Sequence, residues 1–185
     1  MSVGYQSPSQ LRADCTRCSG LCCVGPAFDA DQGFGFDKPA HTPCANLRPD
    51  YRCAIHRERR SRGFPSCVTF DCYGAGQRVT QQLFGGKSWR SSPELAPRMF
   101  DAYSRYRVLH ELMALLEVAI ARASSPDAAA RLRETRQSID ELCESGAALD
   151  EALPMDELRR DVLNHVRRAL GAGLSVVPSG DTLTT

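Results

Sequence analysis

Apolar residues recur every three or four positions through the second half of the chain and lose that period in the first. Phe100, Tyr103, Tyr106, Leu109, Leu112, Met113, Leu116, Ala119 and Ile120 make one continuous stripe, as a helix with one buried face requires. Behind Ser92-Pro93-Glu94, this stripe predicts a long helix reaching about Ala123. Ser125-Pro126-Asp127 then supplies a capping hydroxyl, a proline suited to the first helical position and an acidic first turn. Leu132, Thr135, Ile139 and Leu142 continue that second helix up to Gly146. A third opens at Pro154 with Asp156 and Glu157, is striped by Leu158, Val162, Leu163, Val166 and Leu170, and closes near Gly171. Three helices on short links predict an antiparallel three-helix bundle over 93–171. Residues 172–185 read as a flexible tail.

Residues 1–92 have no such period. Gly20, Gly25-Pro26, Gly33, Gly35, Pro39, Pro43, Pro49 and Pro65 interrupt the chain too often for long elements. The one brief helix expected runs from Cys53 to Arg62, with Gly63 as a left-handed cap. Leu, Ile and Val total 9 in residues 1–92 against 22 in residues 93–185, so the first half has little from which to build a core. Eight of the nine cysteines lie there instead. A small domain with a thin core needs a staple, and a structural zinc site supplies roughly 10–16 kcal/mol against the ~5–15 kcal/mol stability of a whole domain. The expected fold is therefore α-rich: an irregular, Cys-rich, metal-stapled module over 1–92, then the bundle. Removing metal should unfold the module.

Charge adds a contrast between the halves. The chain's formal charge is +1, which gives no overall reason to expect nucleic acid or an anionic membrane as partner. Residues 1–92 nevertheless carry 12 basic and 7 acidic side chains, and residues 93–185 carry 11 and 15. The first ten residues have neither a basic start nor an apolar stretch of export-signal length, and no run reaches membrane-spanning length. A cytoplasmic setting follows as the expectation, where thiols stay reduced and dense cysteines read as metal ligands rather than disulfides.

The candidate ligands are Cys15, Cys18, Cys22, Cys23, Cys44, Cys53, Cys67 and Cys72. Cys15-Thr-Arg-Cys18-Ser-Gly20 has the form of a metal knuckle: two thiolates three positions apart reach one ion, and a glycine turns the backbone to aim amides at sulfur. The wider spacings after Cys23 suit an iron–sulfur cluster as well as zinc. Adjacent Cys22 and Cys23 point opposite ways in extended backbone, so either they serve two centres or one is spare. Cys143, alone on the second helix, reads as an ordinary partly buried thiol. His41 and His56 lie near Cys44 and Cys53 and read as surface or supporting groups before ligands. The run Arg57, Arg59, Arg60, Arg62 contains Glu58 and no aromatics, so it reads as a solvated face whose cations also offset thiolate charge. Gly74-Ala-Gly76 is too short for a phosphate loop, and no H-E-x-x-H, G-x-S-x-G or Walker sequence occurs.

Cys15-Thr-Arg-Cys18-Ser-Gly-Leu-Cys22-Cys23, Cys44-Ala-Asn-Leu47, Cys53-Ala-Ile-His56 and Pro65-Ser-Cys67 together resemble the CxxCxxCC family of cysteine-cluster domains, to which zinc or iron chelation is ascribed. The resemblance covers 15–72 and implies chelation by these cysteines; some relatives are linked to protein lysine methylation. A closer likeness is to the region preceding the repeats of certain pentapeptide-repeat proteins. It rests on Gly20-Leu-Cys-Cys23, Phe36-Asp-Lys-Pro39, Phe70-Asp-Cys-Tyr-Gly-Ala-Gly-Gln77, Phe84-Gly-Gly-Lys-Ser-Trp89 and the His110-Glu-Leu helix. No A-[DN]-L-x-x pentads follow Leu149, so a function housed in repeats is not implied here.

The leading expectation is a non-catalytic protein that binds zinc or an iron–sulfur cluster of the 4Fe–4S type, with a sensing, regulatory or partner-binding role. Its helical half would meet a protein partner. The alternative is a redox or accessory enzyme subunit that uses the cluster or a spare reactive thiol.

Overall fold

The computed structural model describes residues 9–171. It is helix-rich, and the only β pairing among the described residues is two isolated antiparallel bridges, Phe28 with Lys38 and Leu47 with Cys53. Five helices occur in the described chain: α1 (Pro65–Thr69), α2 (Ala75–Arg78), α3 (Ala96–Ile120), α4 (Pro126–Glu144) and α5 (Met155–Leu170). The tail expected over 172–185 lies outside the described residues.

The three long helices form where the apolar period places them. Ser125 adopts an extended φ of −154° and its side chain accepts from the Ala128 amide at 3.2 Å, capping α4. Gly146 and Gly171, past the ends of α4 and α5, both have positive φ, the conformation that ends a helix without Cβ strain. α3, α4 and α5 pack pairwise on one another. α3 is buried more widely than one stripe: Met99, Ala102 and His110 are inaccessible along with Tyr103, Leu109 and Met113. The extra buried face is explained by the first half of the chain. Leu11, Leu21, Val24, Ala75 and Val79 join the same core as α3, so the cysteine-bearing segment folds against that helix. An Arg78–Asp140 ion pair of 2.6 Å, with both side chains largely buried, fastens α2 to α4.

The helix expected from Cys53 to Arg62 does not form. Residues 54–63 make successive turns, among them Glu58 N–H to Ile55 O and Arg62 N–H to Glu58 O. Gly63 takes the expected left-handed φ of 85°. The segment carries Arg57, Glu58, Arg59 and Arg60 in succession, with no apolar face to pack, and a short isolated helix is marginal without packing. α2 runs directly into a π-helical turn, Val79–Leu83.

Candidate metal centre

The first half folds as a chain of turns, each placing a thiol. Asp14 accepts from the Thr16 amide at 2.9 Å and so caps the 3-10 turn Cys15–Arg17. Gly20 has φ of 70° and precedes the turn Leu21–Cys23. Its conformation is the one expected of the knuckle glycine: the amides of Gly20 and Leu21 donate to the Cys18 sulfur. Three other thiols accept in the same manner, from the residue two positions on. Asn46 donates to Cys44 at 3.4 Å, Ile55 to Cys53, and Gly74, together with Gly76, to Cys72. Amides aimed at a sulfur stabilise its thiolate form.

Five of the eight thiols divide by the surface each one meets. Cys18, Cys22 and Cys72 pack against the main core, and with Cys15 they line one cavity beside Tyr103 and Gly76. Its volume is ≈ 20 Å³. Cys23 and Cys44 pack instead in a small second core with Phe28 and Leu47. Cys67 is pushed up to about 11 by burial and by charge on Cys22, Cys44 and Cys53, and Cys53 is raised by burial and by charge on Cys22 and Cys15, so these two lie within reach of both groups. The groups adjoin at Cys22 and Cys23, which lie in the turn Leu21–Cys23 rather than in the extended backbone expected, so their sulfurs do not point opposite ways but stand 3.9 Å apart. Among the described residues, no three His, Cys, Asp or Glu side chains converge closely enough to hold a metal ion as they stand.

Burial pushes most of these thiols upward, Cys18 to about 12 despite its two amide donors. The neighbouring Cys23 thiol and burial raise Cys22 well above the ordinary range. Two cations oppose this. Arg59 is held by its own Nε bond to His56 O at 2.9 Å and by a bond to Cys67 O, and its charge lowers Cys15, Cys22, Cys53 and Cys67. Lys38 is 4% exposed, donates to Pro26 O at 2.6 Å and lies 4.6 Å from the Phe28 ring centroid. Burial lowers its pKa, while charge on Cys44 and Cys23 raises it. The sequence reading singled out Arg59 only as one of a basic run, and Lys38 only within the Phe36–Pro39 likeness.

Further supporting residues carry no motif of their own. Trp89 Nε1 donates to Ser19 O at 2.8 Å, and the Ser19 amide donates to Thr80 Oγ1 at 3.1 Å, so the knuckle is fixed from two sides. His110 Nδ1 bonds Tyr73 O at 2.6 Å and ties the Cys72 loop to α3. His41 lies over the Phe100 ring, 5.2 Å between centroids, and His56 is exposed. Cys143 is 4% exposed on α4 and is pushed up to about 12 by burial.

The chain is 40% identical over 152 residues to an uncharacterized protein, YybG of Bacillus subtilis (strain 168). The alignment covers 82% of this chain and 54% of that protein, so the chain spans about half the length of the curated relative it matches. No family model matches the chain, and no solved structure matches it. No helix among the described residues is long and apolar enough to cross a membrane.

Proposed function

We propose that this chain is a metal-binding protein whose eight N-terminal cysteines hold two adjoining four-thiolate centres, Cys15, Cys18, Cys22 and Cys72 in one and Cys23, Cys44, Cys53 and Cys67 in the other. The observation that carries the reading is the cavity that Cys15, Cys18, Cys22 and Cys72 line together, with Cys23 and Cys44 packed in the adjoining small core. Backbone amides support thiols of both groups: Asn46 donates to Cys44 at 3.4 Å, and amides lower Cys18, Cys22 and Cys72 in one and Cys53 in the other. Supporting amides around sulfur are as much part of a metal site as its ligands. Metal entry would draw together Cys15, Cys18, Cys22 and Cys72, which already share a cavity, and would displace the protons that burial holds on the thiols.

Each thiolate set around a divalent ion would carry a net charge of about −2. Arg59 and Lys38 answer that charge from inside the module. The cavity beside Tyr103 is about the size one water requires, which favours a single ion such as zinc over a cubane cluster. An iron–sulfur centre is the second reading, favoured by the long loops between Cys44, Cys53 and Cys67 and by the amide bonds and burial that tune such a centre's potential. In either form the metal staples residues 1–92. The three packed helices, read as an antiparallel bundle, present a surface to a protein partner, and the role is sensing or regulatory rather than catalytic. A redox or accessory enzyme subunit is the corresponding alternative for an iron–sulfur centre.

Anaerobic purification followed by measurement of Zn, Fe and acid-labile sulfide per chain tests the proposal. Colourless protein with stoichiometric zinc supports the leading reading, whereas brown protein with matching iron and sulfide replaces it with the second. Folded protein without either metal defeats both.

A further inference from the structure

Tyr103 is the group beside the first thiol set that the ligand inventory does not use. It is 1% exposed on α3, and its ring is clamped: a Cβ on Gly25 would stand 2.9 Å from one ring carbon, and one on Gly76 would stand 3.8 Å from another. The ring lies tight against Gly25, where no side chain would fit, and in ordinary contact range of Gly76. The hydroxyl at its tip is buried with no hydrogen-bond partner. A buried donor left unmatched is destabilising, and native interiors rarely retain one without a use. Tyr103 lines the cavity of Cys15, Cys18, Cys22 and Cys72, and charge on Cys22, Cys72 and Cys18 acts on its hydroxyl. A phenol is protonated at neutral pH, so toward a thiolate it donates.

We infer that the Tyr103 hydroxyl donates a hydrogen bond to a metal-bound thiolate of the Cys15, Cys18, Cys22 and Cys72 set, making it a positioning residue that damps the nucleophilicity of that centre. The inference rests on the two-centre reading above. A phenylalanine would fill the same clamp and bury the same ring, so the hydroxyl is explained by the centre rather than by packing. The adjoining set has Lys38 in the comparable position, a buried cation acted on by Cys44 and Cys23. The two centres are thereby given different polar neighbours, one neutral and one charged.

The test compares zinc-loaded wild-type protein with Tyr103→Phe, following alkylation of each cysteine by iodoacetamide with mass spectrometry. With zinc content unchanged, the variant should be alkylated about fivefold faster at Cys15, Cys18, Cys22 or Cys72, the rate equivalent of one ordinary hydrogen bond. Cys23, Cys44, Cys53 and Cys67 should keep their wild-type rates. Equal rates at all eight cysteines, or uniform acceleration at all eight, would overturn the inference. A second measurement serves if the variant does not fold. In wild-type protein loaded with ¹¹³Cd²⁺, proton–cadmium correlation spectra should connect the Tyr103 hydroxyl to the metal, as they connect the amides of Gly20 and Leu21. Amide correlations without a hydroxyl correlation contradict it. Wild-type protein that takes up neither zinc nor cadmium defeats the two-centre reading itself, whereas metal uptake with no Tyr103 effect defeats this inference alone.

Discussion

Gly76 leaves open the space that the sulfur of Cys18 occupies: a Cβ there would stand 2.6 Å from Cys18 Sγ. The two residues are 58 apart in sequence, and the contact presses α2 onto the knuckle so that the Cys72 loop and the Cys18 turn face one cavity. A Gly76→Ala substitution forces Cys18 to rotate out of that cavity, because its side chain is too short to bend around a methyl group. Overpacking of this kind costs about 1–3 kcal/mol, partly offset by the ~1 kcal/mol that alanine gains over glycine in a helix. Metal-free protein should therefore lose no more than about 2 kcal/mol of stability, and bound metal should fall by one ion per chain. Metal analysis beside a melting curve checks both.

His110 gives the fold a defined acid limit. It is fully buried, and its pKa is lowered to about 4, chiefly by burial and also by Arg78 and Arg136, against the opposing Tyr73 O and Asp140. In the unfolded chain the imidazole titrates near the ordinary value of about 6.5. Between those values the unfolded state binds the extra proton, so stability is fully present above about pH 6.5 and is lost as pH falls toward 4. The loss amounts to about 3 kcal/mol at most. His110→Asn keeps a donor for Tyr73 O and removes this titration. Urea melts at pH 7 and pH 4.5 should show a smaller pH-dependent loss in the variant than in wild type; equal losses would exclude His110 as the source.

Chelation should act unevenly along the chain. The small second core has only Phe28, Cys44 and Leu47 buried, with Cys23, Phe34, Phe36 and Trp89 against it. Three buried side chains contribute roughly 1.5–3 kcal/mol each. Ordering each backbone residue costs roughly 1–2 kcal/mol, so the loops over 26–64 cannot be held by that core alone. Hydrogen exchange after treatment with a strong chelator should expose amides of this segment, such as that of Lys38, while those of α3 and α4 stay protected. Retained protection in 26–64 would show that the loops do not depend on metal.

The long helices were legible because their information is local. Ser125, Pro126, Gly146 and Gly171 act within one turn of their own positions, and the apolar stripes needed only a direction in which to face. The Cys18–Gly20 knuckle was legible for the same reason. The expected helix at 53–62 failed because good helix formers such as Arg and Glu are a weak signal without an apolar face. Tyr103, Trp89, Thr80 and His110 could not be assigned to the site from sequence, since each reaches it through a contact between distant segments. Tyr103 and His110 sat within a stripe or motif that the helix alone explained. The packing of the cysteines was likewise hidden: the adjacency of Cys22 and Cys23 left open two centres or a spare thiol, and only the fold says that one meets the main core and the other the small one.

Native mass spectrometry of zinc-loaded wild type, Cys18→Ser and Cys44→Ser, each kept anaerobic, tests the two-centre proposal most directly. Two ions per wild-type chain and one in each single variant is the expected result, because Cys18 and Cys44 belong to different sets. A single ion in wild type that both substitutions abolish, or no bound metal in any of the three, would contradict it.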